Sequence, residues 1–279
     1  MMKIQVRDYG VGDGAPLLLL CGPCVIENLD LCRRVAAKMS EICASREMNY
    51  VFKASFDKAN RTSIGGARGP GIGAGLETLA RIKSEFGVPV TTDVHESNQC
   101  LEAAQIVDVL QIPAFLCRQT DLLLAAGEAA ATFGGAVNIK KGQFLRPAGI
   151  EHAVKKVRAA GCENVFVTER GATFGYEDLV VDFRALEIMR EFAPVCFDAT
   201  HSVQKPGGGG DKTTGERRFV PALTNAAMAV GIDALFIETH PDPDSAPSDG
   251  PNMVPLSQME ALLDRALAIR GVARRGAAL

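Results

Sequence analysis

Short runs of β-branched and aliphatic residues recur eight times along the chain, and each is followed by a stretch in which apolar residues return every three or four positions. The runs are LLLLCGPCVI (17–26), YVFKAS (50–55), PVTTDV (89–94), VDVLQIP (107–113), AVNIKK (136–141), NVFVTER (164–170), APVCFDATH (193–201) and ALFIETH (234–240). Runs of this length bounded by turn residues read as buried strands, and the spacing between them reads as helices. Strand then helix, repeated eight times, predicts one α/β unit, a (β/α)8 TIM barrel over residues 17–279. Residues 1–16 carry MKIQV and then Gly10, Gly12 and Gly14, which predicts a short N-terminal hairpin cap. Asn28 is placed to cap the first helix, whose buried face holds Leu29, Cys32, Val35, Ala36, Met39 and Ile42. Ser97 and Thr120 are expected to cap later helices in the same way, and Ser257 with Glu260 to form a capping box at the last one.

In a parallel barrel the strand C-termini converge on one pocket, where the chemistry of this architecture sits. That places Cys24, Lys53, Asp93, Gln111, Lys140, Arg170, His201 and Glu238 around a common mouth. Three connections on the same face exceed what a barrel needs: 56–74, 202–218 with four consecutive glycines, and 241–256. Long irregular connections in a compact domain are expected to be binding loops or lids.

Composition narrows the field. With 47% hydrophobic and 23% charged residues, the chain has the balance of an ordinary globular protein. A formal net charge of −3 argues against a nucleic-acid surface. The apolar run Leu17–Leu20 is far too short for a bilayer span, and the N-terminus lacks a signal-peptide core, so no membrane partner is expected. Eight cysteines without a secretory signal are expected as reduced thiols in the cytoplasm. Cys32, Cys43, Cys100, Cys117, Cys162 and Cys196 read as small buried hydrophobes.

Three constellations carry candidate chemistry. Lys53, Lys58, Arg61, Lys140 and Arg170 are cations delivered by strands two, five and six. Crowded together they repel unless anions join them, which points to a doubly anionic substrate or to two anionic substrates. Asn60, Thr62 and Ser63 add donors beside Arg61, suited to a second phosphate. The alternative is that each cation pairs with a carboxylate such as Asp57, Glu169 or Asp198. Secondly, Cys24, His201, Glu238 and Asp249 come from neighbouring strands one, seven and eight and the loop after strand eight, a mixed donor set for a divalent transition ion such as Zn2+, Fe2+ or Mn2+. The competing reading of His201 alone is a structural histidine. Thirdly, Cys21-Gly22-Pro23-Cys24 has the spacing of a dithiol redox pair, which would make the protein an oxidoreductase.

Longer motifs go further. FKASFDKANRTS (52–63), TTDVHES (91–97), QIPAFLCRQTDLL (111–123), NIKKGQF (138–144), TERGATFGYEDLVVDFR (168–184), DATHSVQKPGG (198–208) and ETHPDPDSAPSDG (238–250) closely resemble the 3-deoxy-D-manno-octulosonate 8-phosphate synthases, in order and over nearly the whole chain. The resemblance implies a cytoplasmic transferase of lipopolysaccharide precursor synthesis, a homotetramer that condenses phosphoenolpyruvate with D-arabinose 5-phosphate and releases phosphate. Family members with Cys at the GPC position are the metal-dependent ones, so the resemblance implies Cys24, His201, Glu238 and Asp249 as metal ligands. It further implies that Lys53, Ser55, Lys58, Gln111, Lys140 and Arg170 hold phosphoenolpyruvate, with Lys140 and Arg170 on its phosphate and Lys58 and Gln111 on its carboxylate. Asn60, Arg61 and Thr62 would bind arabinose 5-phosphate, with Asp93 and His95 nearer the reacting centre. His201 and Asp249 would steer or deprotonate the attacking water. For Asp93 and His95 the alternative is a hydrogen-bond network that holds the third loop. Three positions depart from the family pattern: Thr62 replaces the usual Ser, Ile64–Ala67 replaces a stretch with His and an aromatic, and Cys21 replaces a small non-thiol residue and could oxidise onto Cys24. A phosphosugar-binding barrel without catalysis is the third class considered.

Overall fold

The computed structural model describes residues 2–61, 64–174, 178–205 and 214–276. Each of the eight apolar runs contains a strand: Leu18–Gly22, Asn49–Lys53, Val90–Asp93, Val109–Ile112, Ala136–Lys140, Val165–Glu169, Val195–Asp198 and Ala234–His240, numbered one to eight below. Consecutive strands pair in parallel, and strand eight pairs with both strand seven (Asp198 opposite Phe236) and strand one (Glu238 opposite Gly22). The sheet is therefore closed. Helices Leu29–Ala44, Ile72–Phe86, Ser97–Ala104, Thr120–Phe133, Glu151–Ala159, Arg184–Arg190, Val220–Val230 and Met259–Gly276 follow the strands in turn, giving the expected (β/α)8 barrel. None of the described helices is long and apolar enough to cross a membrane.

Side-chain alternation along each strand sorts the core into two layers. Leu18, Leu20, Val51, Val109, Ala136, Phe166, Cys196, Ala234 and Phe236 fill the barrel interior. Leu17, Leu19 and Cys21 point the other way, into the shell between strands and helices. Burying each large aliphatic side chain contributes roughly 1.5–3 kcal/mol. The predicted hairpin is present as antiparallel strands Lys3–Val6 and Tyr9–Gly12. Its Ile4, Val6 and Val11 join the interior layer, and the Gln5 amide donates to Asn164 Oδ1 just before strand six. The hairpin is thus a plug in the N-terminal end of the barrel.

Helix starts follow the sequence reading at one place and depart from it at three. Asn28 caps the first helix, accepting from the Leu31 amide at 2.8 Å. The third helix is capped one residue earlier than expected, by Glu96 in a capping box with Gln99, so Ser97 is its first residue. Gln119 occupies the cap position before Thr120 without a side-chain bond. At the last helix a 3-10 turn, Leu256–Gln258, intervenes, and Glu260 pairs with Arg46 at 3.0 Å. In the first case a neighbouring longer side chain takes the cap, in the second the helix begins without a side-chain cap, and in the third a distant guanidinium takes the Glu260 carboxylate.

The dithiol reading fails on the same alternation. Cys21 lies in the outer shell, whereas the Cys24 thiol faces the mouth and donates to Asp249 Oδ2 at 3.0 Å and Ser248 Oγ at 3.1 Å. The two sulfurs serve opposite sides of the strand wall. Burial pushes both thiols well up, the opposite of a redox-active cysteine.

Candidate active site

The mouth is assembled by strand ends of opposite charge. Lys53 ends strand two and Glu238 lies in strand eight; between them runs strand one, which carries only Gly22 at that level. A Cβ on Gly22 would sit 2.0 Å from the Lys53 carbonyl oxygen, so glycine is what lets strand two approach. The Lys53 ammonium then reaches across to Glu238 Oε1 at 2.6 Å and to the Cys24 carbonyl at 3.0 Å. Lys58 lies 3.9 Å from the same carboxylate oxygen. Lys140 pairs with Asp198 at 2.7 Å. Phe236, at the top of the apolar interior, supports both lysines: the Lys140 ammonium stands 3.8 Å from its ring centroid and that of Lys53 5.4 Å, within cation–π range.

The expected cluster of mutually repelling cations is therefore corrected. Carboxylates from intervening strands alternate with the lysines, and the pairs are buried enough that removing one partner would strand a charge. Of the three carboxylates proposed as alternatives, only Asp198 takes one of these cations. Asp57 pairs with Arg68 and Glu169 with Lys141. Among the five cations read from the sequence, two guanidiniums remain incompletely satisfied. Arg170 is 5% exposed, donates to Gln204 Oε1 through Nη2, and has no partner for its buried Nη1 among the described residues. Arg61 donates from Nε to the Ala67 carbonyl at 2.7 Å and leaves its buried Nη2 equally unmatched. Buried donors without acceptors are scarce in folded proteins, and each of these suits an anionic oxygen.

Potential ligand atoms of Cys24, Glu238 and Asp249 lie within 4.8 Å of one another. Glu238 Oε2 is buried with no hydrogen-bond partner among the described residues. His201 stands beside this group, its Nε2 3.6 Å from Glu238 Oε1 and its Nδ1 2.7 Å from Asp198. Asp198 thereby fixes the orientation of the imidazole ring, a common arrangement behind a ligating histidine. Asp249 adopts φ 54, a left-handed conformation that only the short polar residues and glycine enter readily. Gly250 follows because a Cβ there would meet the Pro243 carbonyl oxygen at 2.4 Å.

Electrostatics fix the charge states. Burial opposes ionisation of Asp93, but Lys53, Lys58 and Lys140 outweigh it and hold the carboxyl far below its usual range. Asp198 and Asp249 are lowered against burial in the same manner, with His201 the largest favourable influence on each. Burial lowers Lys58, yet Cys24 and the carboxylates of Glu238, Asp93 and Asp249 around it leave it raised overall. Burial also lowers the Arg170 guanidinium, as expected of a charge awaiting a counter-ion.

The family model described as DAHP synthetase I family matches residues 1–267. Curated relatives bearing the name 2-dehydro-3-deoxyphosphooctonate aldolase include one from a Cyanothece species, 58% identical over 97% of this chain and 98% of its own length. Another, from Granulibacter bethesdensis, is 55% identical over 94% and 92%. A third, from Methylobacterium radiotolerans, is 56% identical over 98% and 95%. This chain belongs to the DAHP synthetase I family.

Among the residues read from the sequence of this DAHP synthetase I family member, the contacts above bring together Cys24, Lys53, Lys58, Lys140, His201, Glu238 and Asp249. Ser55 and Gln111 both donate to Asp93, Gln111 at 2.5 Å. Asn60 is exposed, and Thr62 lies outside the described residues. His95 packs edge-on against Phe56 at 5.9 Å, and its backbone amide donates to Gln99 Oε1, so it is built into the third helix cap as well as the mouth. Four contributors were not read from the sequence: Phe236, Gln204, Asn138 and Thr168. Gln204 links Arg170 to Asp249, donating to the latter at 2.9 Å. Asn138 carried a signal, because a lone Asn in the middle of a β-branched run is depleted in strands. Phe236 and Gln204 carried none, being ordinary residues for a buried strand and a polar loop.

Proposed function

We propose that this protein is a 3-deoxy-D-manno-octulosonate 8-phosphate synthase, condensing phosphoenolpyruvate with D-arabinose 5-phosphate and water and releasing phosphate. The observation that carries the reading is the pair of buried guanidinium nitrogens on Arg170 and Arg61 that have no partner among the described residues, each suited to an anionic oxygen. Arg170 and Lys140 hold the phosphate of phosphoenolpyruvate, and Lys58 with the remaining N–H of Gln111 holds its carboxylate. Arg61, Asn60 and Thr62 receive the phosphate of the sugar. Bringing two dilute anions into one oriented pair supplies a large share of the rate. C3 of phosphoenolpyruvate then bonds to the aldehyde carbon, water adds at C2, and the C–O bond to phosphate breaks. Lys140 and Arg170 stabilise the departing phosphate in a mouth from which water is largely excluded, where fixed charges act most strongly. Asp93 is too weakly basic to accept a proton and acts as a fixed counter-charge for the surrounding lysines.

Cys24, His201, Glu238 and Asp249 would hold one divalent transition ion, Zn2+, Fe2+ or Mn2+. The donor set fits: three ligand atoms already cluster, Glu238 keeps an oxygen without a partner among the described residues, and the His201 ring is oriented by Asp198. Such an ion supplies Lewis acidity toward the aldehyde or toward water. Because the Cys24 thiol is raised, ion uptake should release a proton and strengthen with pH. The enzyme is placed in the cytoplasm as a homotetramer, which sedimentation would check.

The deciding experiment measures phosphate liberated from phosphoenolpyruvate with and without arabinose 5-phosphate, before and after chelation. Release that needs both substrates and is lost on chelation supports the reading. Binding of both without release would make the protein a phosphosugar-binding barrel, and chelator-insensitive turnover would remove the metal assignment. Cys24→Asn should lose bound metal by elemental analysis, and its activity should either vanish or no longer respond to chelator.

A further inference from the structure

Directly beneath the charged mouth, the interior of the barrel carries a belt of hydrogen-bonded polar side chains that ends on Asp93, where an apolar layer would be expected. Thr168 Oγ1 donates to Asn138 Oδ1 at 2.6 Å, Asn138 Nδ2 to Gln111 Oε1 at 2.9 Å, and Gln111 Nε2 to Asp93 Oδ1 at 2.5 Å. Ser55 Oγ donates to the other Asp93 oxygen. The five residues come from five successive positions around the wall: strands six, five, four and three, and the exit of strand two. Ser55, Gln111, Asn138 and Thr168 are fully buried and Asp93 is 8% exposed.

The belt runs in one direction, and chemistry forces that direction. An ionised Asp93 can only accept, so Gln111 must turn its N–H toward it. The Gln111 oxygen then faces Asn138, which must answer with its own N–H, leaving its oxygen for the Thr168 hydroxyl. Reversing either carboxamide would set acceptor against acceptor where neither side chain is exposed to solvent, at the full desolvation cost of the unmatched groups. One layer lower the same strands carry Val109, Ala136 and Phe166, so the barrel fills this space with apolar side chains where nothing else is required.

We propose that Asn138 and Thr168 are positioning residues for the condensation: they lock the Gln111 carboxamide with its N–H on Asp93, and through it hold the Asp93 carboxylate in place among the mouth lysines. The proposal rests on the reaction assigned above. It explains why a strand of high β propensity carries an Asn at this level, and it makes Asp93 a consequence of residues on strands five and six.

Asn138→Leu, close in size but unable to bond, should lower kcat for phosphate release roughly 10- to 100-fold through misplacement of the groups above it. The KM for arabinose 5-phosphate should change little, since Asn60 and Arg61 lie outside the belt. Thr168→Val removes only the hydroxyl and should lower kcat less, and Thr168→Ser should recover most of that loss. If Asn138 acts through Gln111, the double variant Asn138→Leu/Gln111→Leu should be no slower than Gln111→Leu alone. Losses that multiply in the double variant would overturn the proposal, as would a Thr168→Ser variant no better than Thr168→Val. Side-chain amide resonances of 15N-glutamine-labelled protein give a second readout that needs no turnover. The Gln111 carboxamide protons should be protected from exchange in the parent and exposed in Asn138→Leu; unchanged protection sinks the idea. A parent protein that releases no phosphate from both substrates would refute the assigned reaction, while the resonances would still decide whether the belt orients Gln111.

Discussion

At the N-terminal end of the barrel, Ile4, Val6 and Val11 of the hairpin close over Leu18, Leu20 and their apolar neighbours; at the opposite end the same strands present Lys53, Asp93, Lys140, Asp198 and Glu238. Both ends are buried, yet they are held by different forces. The plug is stabilised by area removed from water, a term that is non-directional and tolerant of changes in shape. The mouth is held by paired charges whose attraction works against a large desolvation cost, so its arrangement is directional and sets geometry. The lesson is that one scaffold separates the residues that keep it folded from those that do chemistry along the length of each strand. Phe236 and the polar belt mark the boundary.

That contrast can be broken most directly at Lys140. Lys140→Ala should reduce kcat/KM for phosphoenolpyruvate roughly 10²–10³-fold, about 2.7–4 kcal/mol of transition-state binding, the size found when one electrostatic donor is deleted from an active site. Steady-state phosphate release checks this, and saturation with normal kinetics would show that the phosphate is held elsewhere. The mirror experiment is Ile4→Ala in the plug, expected to cost about 2–3 kcal/mol of stability in urea unfolding. Its kcat at low temperature should stay within about twofold of the parent because no chemistry reaches that end. A large fall in kcat there would mean that the two ends are coupled.

At the boundary, Phe236→Leu should show both effects in reduced form. A loss of about 1 kcal/mol in stability is expected from the poorer fit, with a several-fold fall in rate as the lysines lose their aromatic support. The pH dependence separates the ends again. Asp93 and Asp198 have folded-state pKa values below their ordinary ones, so they add stability at pH values above the ordinary carboxylate range. That stability drains away as pH falls below about 4, the unfolded value, toward the lowered folded ones. Thermal melts from pH 7 to 3 should be steeper for the parent than for Asp198→Asn, whereas Ile4→Ala should run parallel to the parent. The smallest effect is expected at Cys21. Cys21→Ala should cost about 1 kcal/mol and leave turnover and chelator response unchanged, because this thiol packs in the outer shell. Altered chelator sensitivity would mean that Cys21 takes part in the mouth after all.

How much of this was legible depended on whether the signal was periodic or pairwise. Eight strands, eight helices and the hairpin follow from runs and spacings that local sequence carries completely. The residues at the mouth followed next, since alternation and chain direction dictate which side chain of LLLLCGPC or ALFIETH stands at a strand exit. The cap at Asn28 was legible, while those expected at Ser97, Thr120 and Ser257 lost to Glu96, Gln119 and a 3-10 turn through competition between close alternatives. Which of the three carboxylates offered as partners would take Lys140, the links from Gln204 to Arg170 and Asp249, and the belt through Asn138 were not legible. They join residues on different strands, and nothing in a one-dimensional spacing states which partner wins.

Sequence alone determined the barrel, its polarity and the kinds of side chain gathered at its C-terminal end, because these follow from periodicity and from the chirality of the chain. Only the tertiary structure decided that Cys21 and Cys24 part company across the strand wall, that the lysines arrive already matched by carboxylates, and that Arg61 and Arg170 each keep a nitrogen without a partner among the described residues. Those outcomes depend on distances and on the exclusion of water, and both exist only once the sheet has closed.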